Sequence, residues 1–383
     1  MPARVSQCLI LGFIVSIFSC SLTGSIQAQA TKSEALDSRL KWMLAQFPDA
    51  QESAERSNRY QVSQTVRLEQ IADGADEIRL WVSIPRDERN QRLLSFSVES
   101  CPGDWSLIED LDRRGTFVYT TIKKPSTDFV EVKVNFTLER DPDYVAIDIQ
   151  KVGTMTESLE MLLAEYLRLD APNMEVTQEF VDLATEICGD EKNIAVQARK
   201  LLEHVAATVD HYSYSEDPNM PHCGIGNSKI CKQQGGGCCT DLNSYFISLA
   251  RARGIAARLK MGYRLQDKNS GKLADPGYRC WVEYFVPNFG WVSADVVEAD
   301  TPNGLGHERW MSGLTSRRLY LNDGREFQFR DAQAKTVNHM SIAYAEIDGV
   351  PARLLPDGEL KPQITRKVNY SEQAISPSAS VSN

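Results

Sequence analysis

The sequence predicts an α+β protein in which a β-rich N-terminal half precedes a mixed helix-and-strand half. Three observations carry this. Apolar residues alternate with period two between Tyr60 and Ile149. The period then lengthens to that of a helix, with Leu159, Leu162, Leu163, Tyr166 and Leu167 on one face and similar runs over 180–187 and 194–209. Period two returns after Gly254, over 257–264, 280–286 and 291–297.

The β-rich part is expected as a sandwich over 59–152. Its strands include Ile78–Ile84, Val130–Phe136 and Val145–Ile149, and turns at Asp73-Gly74, Pro102-Gly103 and Asp141-Pro142 separate them. Before it, 31–58 reads as a polar helical lead-in. After it, a core over 155–300 holds the helices, a Gly- and Cys-rich loop over 218–237, and the later strands. A C-terminal extension over 301–370 follows, then a Ser-rich tail, 371–383, expected to be disordered.

Composition narrows the function classes. The chain has 383 residues, 42 basic and 52 acidic side chains and a net charge of -10. No cluster of Lys and Arg suits a nucleic acid or an anionic membrane surface as partner. Residues 1–30 have the form of a secretory signal: Arg4, an apolar stretch from Cys8 to Leu22, and Ala28-Gln29-Ala30 as a small-x-small cleavage site after Ala30. The alternatives are an uncleaved anchor and lipidation at Cys20, where Phe18 makes a poor lipobox. The expected address is periplasmic or extracellular, with no stable membrane association once the signal is removed.

Seven cysteines lie beyond residue 30, at 101, 188, 223, 231, 238, 239 and 280. A Cys223–Cys231 disulfide bracing the Gly-rich loop is expected, because exported proteins meet an oxidising environment. Zinc on Cys223, Cys231, Cys238 and Cys239 fits poorly, since these spacings miss the usual knuckle pairs. Neither a metal nor any other cofactor is expected.

The candidate nucleophile is Cys239. It follows Gly235-Gly236-Gly237-Cys238 and opens a helix whose face carries Leu242, Tyr245, Phe246, Leu249 and Ala250. A helix N-terminus favours thiolate, and flexible glycines let backbone N–H groups approach an oxyanion. Asp241 is read as a helix cap.

The blocks Cys239-Thr240-Asp241, Leu249-Ala250-Arg251-Ala252-Arg253-Gly254-Ile255, Cys280-Trp281-Val282-Glu283-Tyr284 and Phe289-Gly290-Trp291-Val292-Ser293-Ala294-Asp295 resemble the core of transglutaminase-like domains. Gly324-Arg325 and Tyr344–Gly349 echo a C-terminal extension of bacterial members. The resemblance implies a papain-like fold and a Cys-His-Asp triad that attacks amides of proteins or peptides. It assigns the thiol to Cys239 and the orienting carboxylate to Asp295. The histidine position, two residues before Trp281, holds Arg279, and Asn243 stands where bacterial relatives often carry histidine. A guanidinium has no acceptor lone pair and cannot take a proton from a thiol. Arg279 is therefore expected to face Cys239 and to pair with Asp295. Trp281 is read either as a substrate wall or as core, His222 as a loop histidine near the thiol, and His204 and His211 as structural. Two functions stay open: thiol-dependent amide chemistry through Cys239, and a pseudoenzyme that binds a peptide or protein partner in the old cleft.

Overall fold

The computed structural model describes residues 56–213, 215, 219–220, 225–299, 307–352 and 363–375. The signal sequence, Cys20, His222 and Cys223 lie outside the described residues, as does all but the end of the helical lead-in.

The first half is a β-sandwich, and the chain's C-terminus completes it. Strands β1 (Ser57–Glu69), β2 (Glu77–Ile84), β3 (Gln91–Ser100), β4 (Asp104–Glu109), β5 (Thr116–Lys123) and β6 (Val130–Arg140) follow in order, then a short β7 (Asp143–Tyr144). Near the other end of the chain lie β15 (Ala343–Ile347), β16 (Val350–Ala352) and β17 (Gln363–Ile375). One sheet has the order β17-β1-β6-β3 and the other β16-β15-β2-β5-β4. Alternate residues point inward, as a pleated strand requires. Val62, Val66 and Leu68 of β1 meet Leu80 and Val82 of β2 and Val132, Val134 and Leu138 of β6 in a shared apolar core. Each such side chain, fully buried, contributes about 1.5–3 kcal/mol.

Two expectations fail here. Residues 371–375 do not belong to a disordered tail. They end β17, which pairs antiparallel with β1 along its whole length, from Glu69↔Gln363 to Ser57↔Ile375. Ser57 and Asn58 are already strand rather than lead-in helix. The later strands of the C-terminal extension, β15 to β17, therefore complete the two sheets of the sandwich.

Between the two parts of the sandwich sits the mixed domain. Helices α1 (Glu157–Leu162), α2 (Gln178–Cys188) and α3 (Ile194–Thr208) lead to β8 (Asp210–His211), α4 (Ser228–Gln234), β9 (Gly236–Gly237) and the central α5 (Cys239–Ala252). Then follow β10 (Ala257–Arg264), β11 (Tyr278–Val286), β12 (Gly290–Ala294), α6 (Val296–Ala299), α7 (His307–Met311), β13 (Gly313–Leu314) and β14 (Arg318–Asn322). The sheet order is β12-β11-β10-β14, so its fourth strand lies beyond the expected boundary at residue 300. Every residue of α5 from Cys239 to Arg251 is buried, with α2 and α3 on one side and the sheet on the other. Tyr263 of β10 and Leu319 and Leu321 of β14 reach into the sandwich core, so the two domains share apolar packing.

Candidate functional site

The site is built around the N-terminus of α5. Cys238 is the N-cap residue, and Asp241 accepts its backbone N–H at 3.0 Å and that of Asn227 at 3.2 Å. Asp241 is thus the cap that the sequence indicates, and it secures the preceding loop as well. Two of the glycines before it have structural duties. Gly235 ends α4 with φ of +70°, the left-handed cap that glycine adopts at low cost. At Gly236 a Cβ would come within 2.2 Å of the Asp210 carbonyl oxygen, because β9 runs beside β8 there.

Cys239 is 3% exposed. The neighbouring thiols of Cys238 and Cys280, followed by burial, push its pKa well above the ordinary thiol value. The helix N-terminus does not deliver the thiolate that the sequence suggests, since the neighbouring thiols and burial favour the neutral form.

The parity of β11 decides what faces this thiol. Tyr278, Cys280 and Tyr284 point toward α5: the Tyr278 hydroxyl is 3.3 Å from Cys238 Sγ, Cys280 Sγ is 3.2 Å from Thr240 Oγ1, and the Tyr284 ring packs on Phe246. Residues 279, 281 and 283 point the other way. Arg279 forms an ion pair with Glu298 at 3.2 Å. Trp281, 2% exposed, packs edge-on against Tyr320 rather than forming a substrate wall. Glu283 pairs with Arg258 at 2.6 Å.

Asp295 is also committed elsewhere. One carboxylate oxygen accepts the Glu298 N–H at 3.1 Å, and the other takes Arg318 at 2.9 Å. The expected Arg279–Asp295 pair is replaced by a buried cluster in which Arg264, Arg279 and Arg318 surround Glu298. Asn243, at a position where histidine was considered, donates from Nδ2 to the Cys239 carbonyl oxygen at 2.7 Å, and its Oδ1 is buried without a partner.

Two histidines that the sequence did not assign to the site stand near it. His211, in β8, has its pKa pushed down to about 4, first by burial and then by the charge of Arg279, while Cys238 and Glu298 act in the opposite sense. His339 stacks on Tyr278 with ring centroids 6.5 Å apart. Burial, reinforced by Arg325, pushes its pKa down to about 4 as well. Both imidazoles are neutral at pH 7. Sequence distance hid them, since His339 comes from the segment before β15.

No disulfide joins the six described cysteines. Cys231, the expected partner of Cys223, is a buried free thiol whose pKa is raised by burial. Among the described residues, no group of three or more His, Cys, Asp or Glu side chains is arranged to hold a metal ion.

The order of elements is that of a papain-like core: a helix opened by a cysteine, packed on an antiparallel sheet. A model of the transglutaminase-like superfamily matches residues 181–296. This segment is similar to a transglutaminase-like core domain. The wider chain is 24% identical over 338 residues to an uncharacterised protein of Haemophilus influenzae, covering 79% of this chain and 89% of that one. A crystal structure of a candidate cysteine protease from Cytophaga hutchinsonii superposes with a TM-score of 0.56 at 11% identity, covering 84% of this chain and 92% of that one. That likeness concerns the fold, and it takes in the sandwich together with the transglutaminase-like core.

Proposed function

We propose that this transglutaminase-like core acts as a binding domain of an exported protein, a pseudoenzyme that holds a peptide or protein partner instead of transferring its acyl groups. The observation that carries this is the state of Cys239: buried, with its pKa raised by the neighbouring thiols of Cys238 and Cys280 so that it is protonated at pH 7. A cysteine nucleophile needs a depressed pKa and access to a carbonyl carbon. The position expected to hold histidine supplies an arginine that is paired with Glu298.

A second reading, amide chemistry through a thiol, has one observation in its favour. His211 and His339 both lie in electrostatic reach of Cys238 and are neutral at pH 7, which is the state that accepts a proton. Amine incorporation into casein and hydrolysis of a peptide library distinguish the two. The binding reading expects no turnover above that of Cys239→Ser in either assay. Turnover abolished by Cys239→Ser or by Cys238→Ser establishes the enzyme instead.

A further inference from the structure

A cleft of about 280 Å³ lies between the sandwich and the transglutaminase-like core. Seven arginines and four carboxylates line it, an excess of three positive charges in a protein whose net charge is -10. One end of it lies far from the thiols, with Arg251 twelve residues along α5 from Cys239, about 18 Å at 1.5 Å per residue, while at the other end Arg325 bonds Ser244, five residues along the same helix from Cys239.

The four carboxylates already have cations. Glu165 takes Arg114 at 2.5 Å, and Asp112 lies 3.5 Å from the same guanidinium. Asp323 has Arg86 at 3.6 Å and Lys260 at 2.6 Å. Glu326 is 4.0 Å from Arg168. Two arginines are left over, and they are the buried ones. Arg251, 6% exposed, donates only to the carbonyl oxygens of Arg168 and Ala257. Arg325, 2% exposed, donates to the carbonyls of Gly226 and Ile225, to Ser244 Oγ and to Asn338 Oδ1. Neither has a carboxylate within ion-pairing distance among the described residues, and the Nε of each is without an acceptor. Burying a cation against neutral oxygens alone is costly, and like charges nearby raise the cost. That cost is visible in Arg251, whose pKa burial and neighbouring Arg168 push down to about 10. An anion in the cleft removes it, and planar guanidinium forks suit oxyanions best.

We propose that this cleft binds a small ligand bearing two or more oxyanion groups, a polyphosphate or a polycarboxylate, held between the sandwich and the core. The proposal makes no use of the Cys239 sulfur, and it stands whether or not the thiol is catalytic.

The test is isothermal titration of the full chain with pyrophosphate and, separately, with citrate, against a potassium chloride blank at matched ionic strength. Submillimolar binding of either anion is expected, and which one binds identifies the chemistry of the natural ligand. Arg113→Glu and Arg168→Glu reverse charges at the rim, on side chains that are 83% and 41% exposed, so folding is retained. Each variant is expected to weaken binding at least tenfold with an unchanged circular dichroism spectrum. Heats equal to the blank for both anions, or affinities that survive both reversals, overturn the proposal.

Discussion

His339 shows what burial does to a single titratable side chain in this protein. Its half-buried ring stacks on Tyr278, and its pKa is pushed down to about 4 from 6.5 for a free imidazole. Between those values the unfolded chain binds a proton that the folded one refuses, so stability is present above pH 6.5 and is lost as the pH falls toward 4. At 1.36 kcal/mol per pH unit, the loss is about 3 kcal/mol. Urea denaturation at a series of pH values is expected to show a slope to which His211 adds a similar share, and His339→Gln to reduce it by about half. An identical slope in the variant would assign the acid sensitivity to other groups. At Cys239 the neighbouring thiols of Cys238 and Cys280, followed by burial, oppose the helix N-terminus and prevail. A sequence states that a cysteine opens a helix, but the sulfurs that surround it come from Cys238 and from a strand some forty residues away.

At the scale of the element, β11 and β17 show what patterning does and does not reveal. In Arg279-Cys280-Trp281-Val282-Glu283-Tyr284 the even positions are the apolar ones apart from Trp281, and they are the ones that face α5. Aligning Arg279 with a catalytic histidine overrode that parity, and one residue of register moves a side chain to the opposite face of a sheet. The signal was present in the charge alternation, and it placed Arg279 and Glu283 on the side where Glu298 and Arg258 pair with them. β17 is the reverse case. Ile364, Arg366, Val368 and Tyr370 point inward, but an arginine among them and a polar run after Tyr370 break the apolar rhythm. Its partner, β1, is some 300 residues earlier, and no local feature announces such a pairing. The strand is nonetheless part of the core. Ile364→Ala is expected to cost about 3 kcal/mol in urea denaturation, the penalty for emptying a filled core position. A change below 0.5 kcal/mol would mean that β17 is not docked on β1.

Over the whole molecule, the two domains are joined by apolar packing and by buried charge. Lys260, 1% exposed, meets Glu88 of the sandwich at 2.8 Å and Asp323 at 2.6 Å, and Glu283 and Asp323 outweigh burial to hold its pKa above the ordinary lysine value. Such a network fixes how the domains sit, because breaking it strands a charge in the interior. The α+β class, the sandwich, the helix opened by Cys239 and the three strands after it could all be read from periodicity, since each is a local pattern. The swapped C-terminal edge, the fourth core strand, the Glu298 arginine cluster and the neutral histidines could not, since each depends on residues far apart in the chain. The account centres on a thiol that the fold keeps closed and protonated. Its most direct test is iodoacetamide labelling at pH 7 with mass mapping, comparing the native chain with the chain in guanidinium chloride. Cys239 is expected to remain unmodified in the native chain and to react only on unfolding. Rapid modification of Cys239 in the native chain, ahead of the partly exposed Cys101, would contradict it.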